Sequence, residues 1–237
     1  MNRLLYLVLS LVLLLASCAC SLSEDTCLWM RGSVLAITDN TCNSRGTAFI
    51  TEVNGDRVIM TAKHIVDCRL DLKTTALANL LGNRINASID VTDGNSNIYN
   101  CSILSWTDEH DVYKYPEDDW VILDCPAELK DLPALKLAES EPFVGEIVFW
   151  AGYPDSDCGA VVEETRTGDW ISNHYQRRLS SICGPGSSGS PVYDVSLGLV
   201  GIITMHTSET GHGIMLNIPF VKEKIEAEYI RDMQGRF

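Results

Sequence analysis

Two periodicities divide the chain. Between Leu28 and Pro219 the apolar positions fall in short runs bounded by Gly, Asn, Asp and Pro, the pattern of β-strands. "TAFITEV" and "RVIMTA" flank Asn54-Gly55-Asp56, a hairpin whose tip residues readily take positive φ. "RINASIDVTD", "NIYNCSILSW", "DWVILDC", "EIVFWAGYP", "AVVEETRTGDWI", "SPVYDV", "LGLVGIITM" and "GIMLNIP" read as further strands. No helices alternate with them, which points to an antiparallel barrel or sandwich. "LDLKTTALANLLGN" reads as a short helix or a loop. Only the end looks helical: after Pro219, Val221, Ile225, Tyr229 and Met233 recur every four residues and form one apolar stripe.

The apolar run from Leu4 to Ala16 follows a single early Arg3 and ends in small residues. It is shorter than the ~18–20 residues of a spanning helix and reads as an export signal over residues 1–17. "LASC" at 15–18 resembles a bacterial lipobox, in which cleavage before Cys18 leaves a lipid on that cysteine. The alternative is ordinary signal cleavage after Ala19. A short segment, 18–27, then leads into one domain over 28–237, because about 210 residues suit a single all-β unit. The formal net charge is −14, and loss of Arg3 with the signal makes it −15. Such a surface disfavours nucleic acid and anionic membrane surfaces as partners. Membrane attachment is therefore expected only through a lipid on Cys18.

Nine cysteines are present, and either cleavage removes Cys18 from the pairing pool. The remaining even number in an exported chain suggests disulfides, although eight cysteines allow about 105 pairings. No Cys-x-x-Cys or His-x-x-x-His spacing favours zinc. The acidic run "TDEHDVYKYPEDD" reads as solvated surface, with calcium binding the weaker option, and no metal or cofactor is expected.

The candidate chemistry lies in "GPGSSGSPVYD", residues 184–194. As a Gly/Ser linker it would join two domains, but only about 45 residues follow it, so it belongs inside a fold. A serine hydroxyl is a poor nucleophile at neutral pH and needs a base, an orienting carboxylate and oxyanion donors. Among His64, His110, His174, His206 and His212, only His64 follows a β-hairpin, in "TAKHIVDC". Two other motifs fail: Ser190 stands where a nucleophile elbow needs its second glycine, and no lysine completes a phosphate loop.

In order, "GTAFI", "TAKHIV", "DDWVIL", "GSSGSP" and "GLVGI" resemble the chymotrypsin-like serine proteases, particularly their bacterial and viral branch. The resemblance runs from Gly46 to the C-terminal helix. It implies two six-stranded antiparallel β-barrels with a C-terminal α-helix, and the active site between the barrels. "TAKHIV" makes His64 the general base, and "DWVIL" makes Asp119 the orienting carboxylate. Asp118 is the neighbour that competes for this role, and strand alternation allows only one of the two to face His64. "GSSGSP" selects Ser188 over Ser187 and Ser190 as nucleophile, and the oxyanion donors fall on the N–H groups of Gly186 and Ser188.

The resemblance also departs from the family in places. Ser187 stands where zymogen-activated members carry an Asp, so activation by a freed N-terminus is not expected. The spacing from Cys183 to Ser188 is one residue longer than in many animal members. It leaves the pocket floor near Ser181 or Ile182, neither of which is the acid that Arg or Lys specificity requires. The strand "IITMHT" implies a pocket wall of Ile203, Thr204, Met205 and His206, completed by Gly213 and Met215, with Thr204 supporting the catalytic Asp. A gap-free count puts Ile203, not His206, where glutamate-specific relatives place a histidine. The family's histidine-loop bridge implies Cys42–Cys68. Cys101–Cys125 and Cys158–Cys183 follow from flanking strands and nearest partners. The implied activity is hydrolysis of protein or peptide substrates through an acyl-enzyme. The alternative is a catalytically inactive protein that keeps the protease fold and binds. Asn86-Ala-Ser and Asn100-Cys-Ser are glycosylation acceptors only in a eukaryotic secretory route.

Overall fold

The computed structural model describes residues 22–39, 43–66, 89–106, 115–154, 159–172 and 175–235 of the chain. It opens on a helix, α1 (Glu24–Gly32), where strand-like sequence was expected from Leu28 onward. The local reason is a cap. Ser23 Oγ accepts the Thr26 N–H at 3.1 Å, and Glu24 and Asp25 in the first turn favour the positive end of the helix dipole.

Among the described residues fourteen strands follow, in two units. The first holds β1 (Val34–Asp39), β2 (Ser44–Val53), β3 (Asp56–Thr61), β4 (Ile89–Thr92), β5 (Ile98–Cys101), β6 (Ile103–Trp106), β7 (Val121–Asp124) and β8 (Leu135–Lys136). Their order is β5-β4-β1-β2-β3-β7-β6, with β8 added parallel to β2. The two ends of this sheet, β5 and β6, are consecutive in the chain and separated only by Ser102. The sheet therefore curls into a half-barrel. The β2–β3 hairpin turns at Asn54 and Gly55, with φ of 52° and 86°, matching the expected tip.

The second unit is a closed six-stranded barrel, in the order β10-β11-β14-β13-β12-β9. Its strands are β9 (Ile147–Gly152), β10 (Val161–Ser172), β11 (Gln176–Ile182), β12 (Pro191–Tyr193), β13 (Leu199–His206) and β14 (His212–Asn217). The chain ends in α2 (Ile218–Gln234), with Pro219 in its first turn and Val221, Ile225 and Tyr229 buried. "LDLKTTALANLLGN" lies outside the described residues. No helix among the described residues is long and apolar enough to cross a membrane.

Strand alternation sorts the apolar side chains into three cores. Ile50, Ile59 and Leu123 fill the first sheet's interior, whereas Val148, Trp150 and Val192 fill the closed barrel. Their neighbours Phe49, Met60, Ile122, Phe149 and Tyr193 point the other way and meet, with Ile218, Val221 and Ile225 of α2, in a core between the units. Strands buried on both faces read as unbroken apolar runs. That is why "AFI", "VIM" and "VIL" show no polar alternation. Phe49 is fully buried at this junction, so Phe49→Ala should cost about 3–5 kcal/mol of unfolding free energy in urea titrations.

Candidate active site

His64 lies in a 3-10 turn (Lys63–Ile65) that follows β3 directly. Asp119 follows a second such turn (Pro116–Asp118), just before β7. Because β3 and β7 pair with Thr61 opposite Val121, the two turns leave the same end of the sheet side by side. The Asp119 carboxylate is fully buried and accepts the His64 main-chain N–H on Oδ1 at 3.0 Å. His64 Nδ1 lies 2.9 Å from Oδ2 and 3.2 Å from Oδ1. A carboxylate only accepts, so Nδ1 carries a proton, which in the neutral imidazole leaves the lone pair on Nε2. The imidazole remains 31% exposed, open on its outer side. Asp118 turns the opposite way, into an ion pair with Lys224 of α2. The two adjacent carboxylates thus serve different elements.

Ser188 stands in the turn between β11 and β12. Among the described residues its contacts run through the main chain, where its carbonyl accepts the Thr47 N–H at 2.8 Å. Neighbouring amides are used internally: Ser187 N–H to Gly184 O, Gly189 N–H to Ile203 O and Ser190 N–H to Ser187 O. Among the described residues the N–H groups of Gly186 and Ser188 have no protein acceptor. Two unspent amides in one shaped turn are what an oxyanion site requires. Gly186 takes φ of 89° and Gly189 of 84°, both left-handed. At Gly189 a Cβ would also overlap the Thr47 carbonyl and the Thr61 hydroxyl, so the turn lies directly on β2 and β3. Gly46 completes the approach, since a Cβ there would meet Ile65 on one side and the Ser188 carbonyl on the other. The residue after His64 and the backbone of the Ser188 turn are therefore separated by one bare glycine.

The remaining expected pocket residues lie on β11, β13 and β14. Ile203 and Met215 are buried opposite each other in the barrel interior, and His206 pairs with Gly213. Met205 is half-buried and His206 exposed. Ile182 is 69% exposed and points outward, which removes it from the floor. Cys183 takes the inward position, because alternate residues face opposite sides. Its sulfur would lie 2.5 Å from a Cβ at Gly213. Ser181 is half-buried, its main-chain N–H given to Thr165 Oγ1 at 2.9 Å. Thr204 does not support Asp119. The amide of Gln176 donates to its hydroxyl at 3.5 Å instead, beside the bulge that interrupts the pairing of β13 with β14 after Ile203.

The cysteines also differ from expectation. Cys101 and Cys125 are free thiols, not a disulfide. Cys101 is buried in the first sheet, whereas the Cys125 thiol turns to the Pro126 carbonyl at 3.8 Å. Cys183 is free as well. Cys18, Cys42, Cys68 and Cys158 lie outside the described residues. No cluster of potential metal ligands occurs among the described residues. Residues that the sequence did not single out are Thr47 and Tyr153. The Thr47 hydroxyl joins Gly186 O at 3.0 Å and Tyr153 N at 2.9 Å. Thr47 sits in the quoted "GTAFI", but a threonine on a strand announces no such role. Between Thr38, Gly46, Pro185 and Gly186 lies an open cleft of about 180 Å³, beside the turn.

The model of the trypsin-like peptidase domain matches residues 46–202. The chain belongs to the trypsin-like peptidase family. A protease of Mycobacterium tuberculosis solved in its active form, Rv3671c, is 19% identical with a TM-score of 0.59, over 84% of this chain and 82% of that one. A serine endoprotease from Yersinia pestis is 19% identical with a TM-score of 0.62, over 86% of this chain and 65% of that one. The serine protease of a human pathogenic astrovirus is 18% identical with a TM-score of 0.56, over 79% and 90%. At these identities the likeness is one of fold. No curated protein matches the chain in sequence.

Burial gives Cys183 a measurable signature. It pushes the thiol from 9.0 up to about 11, with the Ser181 and Ser187 hydroxyls opposing part of the rise. Between those pH values the unfolded chain ionises this thiol and the folded chain does not, so its contribution to stability is complete below pH 9 and lost by about pH 11. Unfolding free energy should fall over this window, and less steeply in Cys183→Ala, as read by denaturant titrations at stepped pH.

Proposed function

We propose that the protein is a serine endopeptidase acting through His64, Asp119 and Ser188. The observation that carries this reading is the fixed tautomer of His64, held at Nδ1 by a buried carboxylate, beside a turn with two unspent N–H groups. In the proposed reaction His64 Nε2 takes the proton of the Ser188 hydroxyl, whose oxygen attacks the scissile carbonyl. Asp119 stabilises the imidazolium that forms, and the N–H groups of Gly186 and Ser188 receive the negative oxygen. His64 then gives its proton to the leaving amine. The C–N bond breaks to leave an acyl group on Ser188, which water releases by the same proton route in reverse. No acid stands at Ser181, Ile182 or Cys183, so small or apolar residues are favoured over Arg or Lys before the cleaved bond.

Replacing the nucleophile tests the reaction. Ser188→Ala should abolish labelling by a fluorophosphonate probe and lower turnover by about four orders of magnitude or more, with an unchanged circular dichroism spectrum. Ser187→Ala and Ser190→Ala delete equally small groups from the same turn and should retain substantial activity. Equal behaviour of all three, or a wild type that the probe does not label, would favour a binding protein on a protease fold.

We further propose that the protein is exported and held at a bacterial membrane by a lipid on Cys18. The support is sequence alone: the apolar run from Leu4 to Ala16 and "LASC" at its end. Cys18→Ala should move the protein from the membrane fraction to the soluble exported fraction and remove the mass of the lipid. Unchanged partition and mass in that variant would exclude lipid attachment.

A further inference from the structure

We infer that the side-chain hydroxyl of Thr47 is a positioning group that aims the oxyanion donors, by clamping the nucleophile turn to both halves of the fold. The inference rests on the peptidase reading above and adds to it a residue that does not touch substrate.

Thr47 is fully buried on β2, in the first unit. Its hydroxyl receives the Tyr153 N–H at 2.9 Å, from the end of β9 in the second unit. It also lies 3.0 Å from the Gly186 carbonyl. A hydroxyl carries one proton. Tyr153 N–H can only donate and Gly186 C=O can only accept, so that proton is committed to Gly186 and the direction of the chain of bonds is fixed. The main chain of the same residue makes a second grip. Thr47 N–H donates to the Ser188 carbonyl at 2.8 Å, and Thr47 O accepts the Thr61 hydroxyl at 2.6 Å.

The two grips fall on either side of the donor that matters. The Gly186 carbonyl belongs to the peptide plane before Ser187, and the Ser188 carbonyl to the plane after Ser188. The intervening Ser188 N–H is thus suspended between two fixed planes. Gly186, at φ 89°, has no Cβ to restrict its own rotation, so an external bond must hold its orientation. A hydroxyl satisfies Tyr153 N–H and Gly186 C=O at once from this position, and a thiol does so only weakly. A bare close approach surrounds it: a Cβ at Gly152 would meet Thr47 Oγ1 at 2.9 Å and would overlap the Ser190 hydroxyl.

Thr47→Val keeps the branched shape and removes the hydroxyl. Since displacement of a reacting group by about 1 Å can cost 10²-fold, kcat should fall by about 10- to 100-fold, with KM within about twofold. Affinity for a peptidyl boronic acid, which mimics the tetrahedral oxyanion, should fall in step with kcat/KM. Thr47→Ser restores the hydroxyl and should recover most of both. A readout independent of turnover is amide hydrogen exchange of Ser187, Gly189 and Ser190. It should quicken in Thr47→Val and stay near wild type in Thr47→Ser, even if the wild type proves to be inactive, so this arm separates the clamp from the peptidase reading. Wild-type kinetics and exchange in Thr47→Val would overturn the inference. Equal impairment in Thr47→Ser would also overturn it, because packing of the methyl group would then be the cause. If Thr47→Val does not fold, Thr47→Cys supplies a weaker donor at the same place. A rank order other than Thr, Ser, Cys in boronic acid affinity and exchange protection would then count against the clamp.

Discussion

The turn that carries Ser188 lies directly on the main chain of β2, and the candidate site depends on that approach. A side chain at Gly189 would strike the Thr47 carbonyl, and one at Gly46 would strike both Ile65 and the Ser188 carbonyl. Contact at this distance lets main-chain hydrogen bonds, rather than flexible side chains, set the position of Ser188. It also explains why the turn is poor in side chains. The glycines are required by van der Waals space and by positive φ, not by a need for mobility.

The same approach joins the two units. The core between them collects one face of β2, β3 and β7, one face of β9 and β12, and the stripe of α2. Without that apolar junction the polar contacts across it would lie in water and would be weak. The connecting segment strengthens the joint, since Leu135 and Lys136 pair with β2 while Leu137 bridges Leu199. α2 adds an electrostatic tie through Lys224 and Asp118, immediately beside the carboxylate that orients His64. Packing, main-chain bonding and charge therefore converge on the cleft.

Burial also sets the chemistry of the enclosed thiols and of Tyr193. Cys101 and Cys183 are apolar wall residues whose thiols are pushed up by desolvation and so are poor nucleophiles. Tyr193 is raised by the same cause, although its hydroxyl keeps a partner in Ser33 at 2.8 Å. Asp119 is buried among donors: the His64 main-chain N–H and Nδ1–H both face it.

Much of this arrangement is written in short-range pattern. The Asn54-Gly55 hairpin, the apolar strand runs and the four-residue stripe of α2 depend on local backbone preference and periodicity, which survive without tertiary contacts. β11 was not legible, because "QRRLSSI" carries two arginines. Arg177 is accommodated only by the tertiary structure, buried with its guanidinium 3.9 Å from the Trp170 ring. The strand-like reading of residues 28–32 failed because the Ser23 cap outweighed it. At the site, the order of His64, Asp119 and Ser188 was legible because each lies in a compact local motif. Which way neighbouring side chains turn was not. Ile182 faces solvent and Cys183 the barrel, Thr204 meets Gln176 instead of Asp119, and Cys101 and Cys125 are not bonded to each other. The role open to Thr47 depends on Tyr153 and Gly186, which are 106 and 139 residues away in the chain. The sequence by itself determined the elements and the reactive residue types; only the closing of one barrel onto the other decided their contacts, because those contacts belong to through-space neighbours that no local pattern encodes.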